Sequence, residues 1–277
     1  MRQHALISGG SSGIGLALAK KLIADGYNVS ILARDPARLE AACRTIEAAR
    51  RGENTQVLAL IADVVDAAAV QHAVNEAVTK FGAPTLVIAC AGIVIPYIFE
   101  ELAVDAFKQS MDINYLGAVY FVRAALPSMQ RAKNGHIVLV SSGAGLLGVY
   151  GLSAYSPTKF ALRGLGEVLR AELRPEGIAV SVAYPPDTDT PMLREEIKIR
   201  PEITSRIAAA AKSVSAETVA DVILRGVARK KFTITSGFEL SALAFLAGVI
   251  APIVNRFQFD PLIARLHKRG KKAVVQS

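Results

Sequence analysis

The first strand of this chain leads directly into a glycine-rich loop that begins a helix. Residues 5–7 are apolar, the loop reads Ser-Gly-Gly-Ser-Ser-Gly-Ile-Gly, and an apolar-periodic helix follows. Glycines let a backbone approach a pyrophosphate, whose charge is favoured by the exposed N–H groups at a helix start. A glycine-rich turn alone is a weak signal, but strand, loop and helix in this order predict a dinucleotide site. Its candidate contacts are Gly9, Ser11, Ser12, Gly13, Ile14 and Gly15.

Strands and helices then continue to alternate. The pattern predicts strands at 28–33, 56–62 and 85–89, and helices at 36–51 and 66–81. Such alternation is typical of a parallel sheet covered on both faces, and therefore of a Rossmann-type, doubly wound α/β domain. The length of 277 residues suits one domain. We expect a catalytic domain over residues 1–236 and an apolar, basic extension over residues 237–277.

The second strand ends in Ala33-Arg34 instead of an acidic residue. An acidic residue at this place would bind both ribose hydroxyls of NAD, whereas a guanidinium can hold the 2′-phosphate of NADP. We therefore expect NADP, with Arg34 as its phosphate ligand. The alternative is a surface arginine paired with Asp35.

Two later strand ends provide further candidates for cofactor contacts. Asp63 could accept a hydrogen bond from an adenine amino group, and Ala91-Gly92 would let the backbone pass close to the cofactor. A helix-side cap at Asp63 and an ordinary turn at Gly92 remain alternatives.

A candidate proton donor lies between residues 136 and 166. An apolar strand ends at two serines, and a helix predicted from about residue 153 carries Tyr155 and Lys159 four residues apart, on one face. A nearby ammonium favours the phenolate of a tyrosine, which makes the phenol a usable acid. Ser142 could hold the same substrate oxygen. Asn114, in a predicted long helix, could order a water beside Lys159.

Histidines and cysteines do not point to a metal. His4, His72, His136 and His267 are scattered, and Cys43 and Cys90 have no cysteine or histidine partner at metal-binding spacing. We predict no metal and reduced thiols. The N-terminus leads straight into a strand without room for a signal peptide, so we expect a cytoplasmic protein.

The positive charge is concentrated at the C-terminus. The net charge is +8, and +5 of it lies in residues 255–277, where Asp260 stands against six basic residues: Arg256, Arg265, Lys268, Arg269, Lys271 and Lys272. The nearly neutral body argues against nucleic-acid binding, and a basic tail after an apolar stretch favours an anionic membrane surface. A solvated tail is the alternative.

The stretch of residues 240–254 carries no charge. Fifteen helical residues cover about 22 Å, less than the ~30 Å of a bilayer core, so we expect no membrane span. Two interpretations remain: the segment dips into one leaflet, which makes the protein peripheral at the membrane, or it is buried in a dimer or against the sheet.

These motifs together resemble the short-chain dehydrogenases/reductases over roughly residues 3–235. The resemblance rests on the glycine loop, on Asp63 at the adenine contact, and on the tetrad Asn114, Ser142, Tyr155 and Lys159. It implies a carbonyl-reducing enzyme. Two places depart from the family pattern: Ala89-Cys90-Ala91-Gly92 replaces Asn-Asn-Ala-Gly, and Pro185-Pro186 replaces Pro-Gly.

The segment that contains the second departure resembles one subfamily, the 3-ketodihydrosphingosine reductases. The segment Ala-Tyr-Pro-Pro-Asp-Thr-Asp-Thr-Pro at 183–191 carries this similarity, along with several shorter stretches. The resemblance implies a long-chain amino ketone as substrate, and cofactor contacts by Pro185, Thr188 and Thr190. A reductase of a steroid- or retinoid-like ketone and a non-catalytic NADP-binding membrane module are the alternatives.

Two further expectations concern movement and assembly. Residues 192–212 alternate apolar and charged side chains, which suits either a substrate lid or an ordinary surface helix. Apolar helix faces near residues 118–126 and 160–169 suggest a homo-oligomer, a dimer or a tetramer.

Overall fold

A seven-stranded parallel sheet forms the centre of the molecule. The computed structural model describes residues 3–52, 54–208, 213–263 and 265. The sheet contains β1 (His4–Ser8), β2 (Asn28–Ala33), β3 (Val57–Ile61), β4 (Leu86–Ala89), β5 (Gly135–Val140), β6 (Ile178–Tyr184) and β9 (Thr233–Thr235), in the order β3-β2-β1-β4-β5-β6-β9. A separate two-stranded pair joins β7 (Thr188–Asp189) to β8 (Val214–Ser215). The strand order reverses between β1 and β4, where such sheets bind ligands.

Ten helices within the described residues connect and extend these strands. They are α1 (Gly13–Ala24), α2 (Pro36–Ala48), α3 (Ala67–Phe81), α4 (Val104–Met111), α5 (Gly117–Ala132), α6 (Ser156–Leu173), α7 (Pro191–Ile199), α8 (Glu202–Ala208), α9 (Ala216–Ala228) and α10 (Gly237–Val254). The doubly wound α/β fold predicted from the sequence is confirmed. Helix α6 begins at Ser156, three residues later than expected, and Tyr155 is its N-cap residue.

Successive side chains of the strands point to opposite faces of the sheet, and a hydrophobic core forms on each face. In β1, Leu6 packs with α3 and α5 on one face, while Ala5 and Ile7 pack with α1, α2 and α9 on the other. Both faces of the central strands are therefore apolar, as expected of a sheet with helices on both sides. Because both faces are apolar, polar side chains gather at the carboxyl ends of the strands.

Asn114 lies in a π-helical turn within one long helix. The predicted long helix is present: α4 reaches Met111, a π-helical turn spans Asp112–Leu116, and α5 follows from Gly117, with helical backbone dihedrals at both junctions. The π-turn itself was not predicted from the sequence. A Cβ on Gly117 would lie 2.8 Å from Val64 Cγ2, so this glycine lets α5 approach the loop after β3.

The C-terminal segment is helical and kinked. Helix α10 has a non-helical backbone at Leu246 (φ −119°, ψ 23°) and is followed by a π-helical turn at Asn255–Phe259. Within the described ranges, no helix has both the length and the apolarity to cross a bilayer. The predicted membrane contacts Lys268 and Arg269, with Lys271 and Lys272, lie outside the described residues, as do residues 209–212 of the predicted lid.

Candidate active site

A cavity of about 1640 Å³ opens at the carboxyl ends of β1, β4, β5 and β6. It is lined by every cofactor and catalytic residue predicted from the sequence except Asn114. These residues are Gly9, Ser11, Ser12, Gly13, Ile14, Gly15, Arg34, Asp63, Ala91, Gly92, Ser142, Tyr155, Lys159, Pro185, Thr188 and Thr190. The topology therefore brings together groups that are up to 181 residues apart in the chain, from Gly9 to Thr190.

The glycine loop packs too tightly for side chains. Gly9 has φ +70°, and a Cβ on it would lie 2.8 Å from the backbone of Ala91; a Cβ on Gly15 would lie 2.2 Å from Gly9 O. Helix α1 begins at Gly13 without a side-chain cap. Its first N–H groups therefore remain available to a phosphate, which fits a bound dinucleotide.

The hydroxyl of Ser8 connects the two strands beneath this loop. Ser8 Oγ accepts from Cys90 N at 3.2 Å and from Ala91 N at 3.3 Å. Cys90 stands where the family pattern has an asparagine, so a serine on the neighbouring strand ties the end of β4 to β1. This role of Ser8 was not predicted from the sequence.

Tyr155 and Lys159 stand together at the start of α6. The Lys159 Nζ lies 5.4 Å from the centroid of the Tyr155 ring and donates to Val140 O at 3.1 Å. Ser141 Oγ donates to Lys159 O at 2.8 Å, which fixes this turn of α6 against the end of β5. The predicted one-turn spacing therefore places the ammonium beside the phenol.

Burial dominates the protonation of both groups. It raises the pKa of the Tyr155 phenol, while a hydrogen bond with Ser142 lowers it. Burial also lowers the pKa of Lys159 to about 8. The expected lowering of the Tyr155 pKa by Lys159 is therefore not the dominant effect in the protein alone, where the phenol is held protonated and so remains a proton donor.

Asn114 holds the loop after β4 and the start of α6 together. Its Oδ1 accepts from Ile93 N at 2.7 Å, and its Nδ2 donates to Ile93 O at 3.0 Å and to Thr158 Oγ1 at 3.1 Å. Thr158 in turn donates to Tyr155 O at 2.7 Å. A Cβ on Gly92 would lie 3.0 Å from Asn114 Oδ1 and 3.5 Å from Lys159 Nζ, so a side chain there would crowd both.

Arg34 lies near Asp63, and not near Asp35, the ion-pair partner considered in the alternative interpretation. Asp35 caps α2 and lies 3.4 Å from Arg38 Nε, whereas Arg34 Nη1 lies 3.9 Å from Asp63 Oδ2. The Arg34 side chain is 69% exposed at the cavity rim. Arg34 is therefore held by one long contact. Arg38 lines the same rim and was not predicted as a contact from the sequence.

The segment after β6 forms one wall of the cavity. Thr190 Oγ1 accepts from Leu193 N at 3.2 Å and caps α7, and a Cβ on Gly13 would lie 3.0 Å from Thr190 Cγ2. Thr188 Oγ1 donates to Pro186 O at 2.8 Å. The two threonines thus shape the backbone beside the cofactor loop, and the helix cap at Thr190 was missed in the sequence.

The start of helix α10 forms another part of the cavity wall. Leu240 and Leu243 line the cavity, and Leu243 also packs against a small core of Leu146, Val182 and Tyr184. The first turns of the predicted membrane segment are therefore part of the candidate site. Burial of this segment against the sheet was one of the two interpretations of the sequence, and Leu243 shows such a contact.

Comparison with known proteins agrees with this geometry. A family model described as short chain dehydrogenase matches residues 3–200. The chain is 40% identical over 253 residues to a 3-dehydrosphinganine reductase of Danio rerio (91% of this chain, 76% of that protein) and 41% identical over 297 residues to one of Arabidopsis thaliana (98% and 87%). A short chain dehydrogenase/reductase from Burkholderia phymatum, solved in complex with NAD, superimposes with a TM-score of 0.78 at 25% identity (88% of this chain, 92% of that chain).

Proposed function

The chain belongs to the short chain dehydrogenase family, and we propose that it reduces 3-ketodihydrosphingosine to dihydrosphingosine with NADPH, a step of sphingolipid biosynthesis. The observation that carries the proposal is the placement of Ser142, Tyr155 and Lys159 around one large cavity whose remaining walls are mostly apolar. Relatives named for this reaction resemble the chain over nearly its whole length.

The residues present fit a nicotinamide dinucleotide. Gly9 and Gly15 allow the tight backbone packing of the loop, and the uncapped start of α1 offers N–H groups to a pyrophosphate. A reduced nicotinamide would supply the hydride that reaches the ketone carbon. Ser11, Ser12 and Thr190 border the same space.

NADPH is the proposed form of this cofactor because two arginines line the cavity rim beside the end of β2. They are Arg34 and Arg38, while the nearby Asp35 caps α2 and Asp63 accepts from Val65 N and lies 3.9 Å from Arg34 Nη1. A guanidinium binds a 2′-phosphate by charge-assisted hydrogen bonds.

The proton reaches the substrate oxygen from Tyr155. Its raised pKa keeps the phenol protonated until a developing alkoxide takes the proton, and Ser142 holds that oxygen by a hydrogen bond. The Lys159 ammonium, fixed by Val140 O, favours the phenolate left behind. Asn114 positions this helix turn through Thr158.

The shape and lining of the cavity suit a lipid ketone. Apolar side chains surround the space beyond the catalytic groups, among them Ile93, Leu147, Val149, Leu152, Met192 and Leu243. Helices α7 and α8 cover one side, which supports the proposal that residues 192–212 act as a substrate lid. Slower hydrogen exchange in these residues with NADP and substrate present would support the lid, and unchanged exchange would contradict it.

An anionic membrane surface is the proposed partner of residues 237–277, where the protein would sit peripherally. Phe245 is 91% exposed, Phe238 86%, Phe257 70% and Val249 64%. Large apolar side chains at this exposure suit the headgroup boundary of a leaflet, with Arg256 and Arg265 beside anionic lipids. A lipid ketone would then enter the cavity past α10 without full transfer into water.

A homo-oligomer, a dimer or a tetramer, is proposed through α5 and α6. On α6, the apolar side chains of Phe160 and Val168 are 41% and 53% exposed. Light scattering of the purified protein would test this proposal, and a monomer at micromolar concentration would refute it.

The decisive experiment for the activity is NADPH oxidation with 3-ketodihydrosphingosine, with NADH in parallel. A panel of steroid and retinoid ketones separates the proposed substrate from other lipophilic ketones. Turnover confined to that panel would overturn the substrate, and absence of turnover with every ketone would favour a binding module without catalysis.

A further inference from the structure

Three charged side chains meet in the cavity wall formed by the segment after β6. The Arg200 guanidinium donates from Nε to Glu196 Oε1 at 2.9 Å and from Nη1 to Asp187 Oδ2 at 3.2 Å. The side chains of Arg200 and Glu196 are only 6% and 9% exposed, and that of Asp187 is 40% exposed. All three line the cavity.

The charges of this group do not balance. Two carboxylates share one guanidinium, and among the residues that the structure describes no second basic side chain forms an ion pair with either acid. One carboxylate is enough to pair Arg200, and the almost fully buried Glu196 is the acid that most needs this pairing. The Asp187 carboxylate is 40% exposed and lines the cavity, so its negative charge can pair with a cation from outside the protein.

The two carboxylates lie within electrostatic reach of the catalytic phenol. Burial is the largest cause of the raised pKa of Tyr155, and the negative charges of Glu196 and Asp187 raise it further. A substrate whose carbonyl oxygen receives the Tyr155 proton would present its neighbouring carbon close to the same wall. In 3-ketodihydrosphingosine that neighbouring carbon bears the amino group.

We infer that Asp187 and Glu196 bind the substrate ammonium, so that the enzyme selects 2-amino ketones over ketones of the same length without the amine. Arg200 holds the two acids in place. This inference rests on the proposed function and adds to it the basis of substrate selection.

A purely structural role for the three side chains makes a different prediction. An ion pair that only fastens α7 to the loop after β6 would, when broken, weaken reduction of every ketone by a similar factor. Selection of the ammonium changes the ratio of kcat/KM between two ketones that differ only in the amine, and this ratio is therefore the quantity to measure.

The test compares full-length wild type with Asp187→Asn, Glu196→Gln and the control Glu195→Gln. Glu195 lies on the same helix, is 72% exposed and pairs with Lys198. For each protein, kcat/KM is measured with NADPH for 3-ketodihydrosphingosine and for its analogue without the amino group. Affinities for dihydrosphingosine and its analogue without the amine are measured by calorimetry, which does not depend on turnover.

We expect wild type to prefer the amino ketone, and Asp187→Asn and Glu196→Gln each to lower this preference about tenfold or more, in kcat/KM and in affinity. Glu195→Gln should keep the wild-type ratio. Equal losses for both ketones, or a wild type without preference, would overturn the inference while leaving the proposed reaction intact. A wild type inactive on the amino ketone would instead overturn the proposed function. If Glu196→Gln fails to fold, Asp187→Asn, whose side chain is more exposed, decides the question.

Discussion

Asn114 and Thr158 are joined by a 3.1 Å hydrogen bond that ties the π-helical turn before α5 to the first turn of α6. Thr158 is 1% exposed, and its hydroxyl also donates to Tyr155 O. One buried hydroxyl therefore connects the amide of Asn114 to the backbone of the proposed proton donor.

Replacing Thr158 with valine should weaken this connection. The change keeps the branched shape but deprives Asn114 Nδ2 of one partner, so we expect the free energy of unfolding to fall by about 1–3 kcal/mol. Urea unfolding measures the change. The control Thr79→Val removes a hydroxyl that bonds Asn75 O on an exposed helix face, and it should cost less than about 0.5 kcal/mol. Equal stability of Thr158→Val and wild type would contradict the prediction.

Replacing Tyr155 with phenylalanine should separate chemistry from cofactor binding. The substitution removes the acid but little volume, so kcat should fall by about 10²–10⁴-fold while the dissociation constant of NADPH stays close to that of wild type. Steady-state kinetics and nicotinamide fluorescence give the two quantities. Tyr120→Phe, on α5 and outside the cavity lining, serves as the control. Near-native turnover of Tyr155→Phe would remove this residue from the mechanism.

Replacing Arg34 with alanine should weaken the binding of NADPH more than that of NADH. If its guanidinium holds the 2′-phosphate, the dissociation constant of NADPH should rise by about 10–100-fold, while that of NADH changes little. The control is Arg44→Ala, which breaks an exposed pair with Glu40 on α2. Equal weakening of NADPH and NADH would show that Arg34 does not recognise the phosphate.

His136 should make the stability of the fold depend on pH. Burial, with a smaller effect of Lys230, lowers the pKa of this histidine to about 4, against about 6.5 in an unfolded chain. The unfolded state therefore binds more protons between these values. Stability is complete above about pH 6.5 and declines as the pH falls towards about 4, by about 1–3 kcal/mol.

The variant His136→Gln keeps a donor for Ser181 Oγ, which lies 2.6 Å from His136 Nε2 and itself donates to Lys231 O. Urea unfolding at about pH 7 and about pH 5 should show a smaller loss of stability for this variant than for wild type. His72→Gln, at an exposed position, should retain the wild-type difference. If His136→Gln loses as much stability as wild type between the two pH values, the pH dependence of stability arises from other groups, such as the buried His4.

Replacing Phe245 with aspartate should release the protein from anionic vesicles. Phe245 is 91% exposed on α10, so the change should leave the fold intact while placing a charge where apolar contact with lipid is proposed. Vesicle flotation measures binding. Val104→Asp, which alters an 82% exposed residue at the start of α4, is the control. Flotation of Phe245→Asp equal to that of wild type would argue against docking through α10.

The parts of the fold that depend on local pattern were predictable from the sequence. The strand from Asn28 to Ala33 ends where it was expected, because the apolar run and the cap at Asp35 mark both the strand and the next helix. The pair of Tyr155 and Lys159 was also visible, since spacing along a helix determines which side chains share a face.

Other parts depended on tertiary contacts that no local pattern records. Glu196 and Arg200 show an ordinary i,i+4 spacing, and only the packing of α7 over the cavity buries them. The contact of Ser8 with the end of β4 joins residues more than 80 positions apart. The position of Leu243 in the cavity wall was not predictable for the same reason, since it depends on how α10 folds back after β9.

The π-helical turn at Asp112–Leu116 sets the rotational phase between α4 and α5. A π-turn contains about one residue more than an α-turn, and one residue corresponds to about 100° around a helix axis. Loss of a single residue here would turn the π-turn into an ordinary α-turn and rotate α4 by about 100° relative to α5, so that Asn114 and the buried face of α5 could not both keep their directions. Asp112, Tyr115 and Leu116 are only partly buried, and a change of residue type at these positions should be tolerated far better than a change in the number of residues.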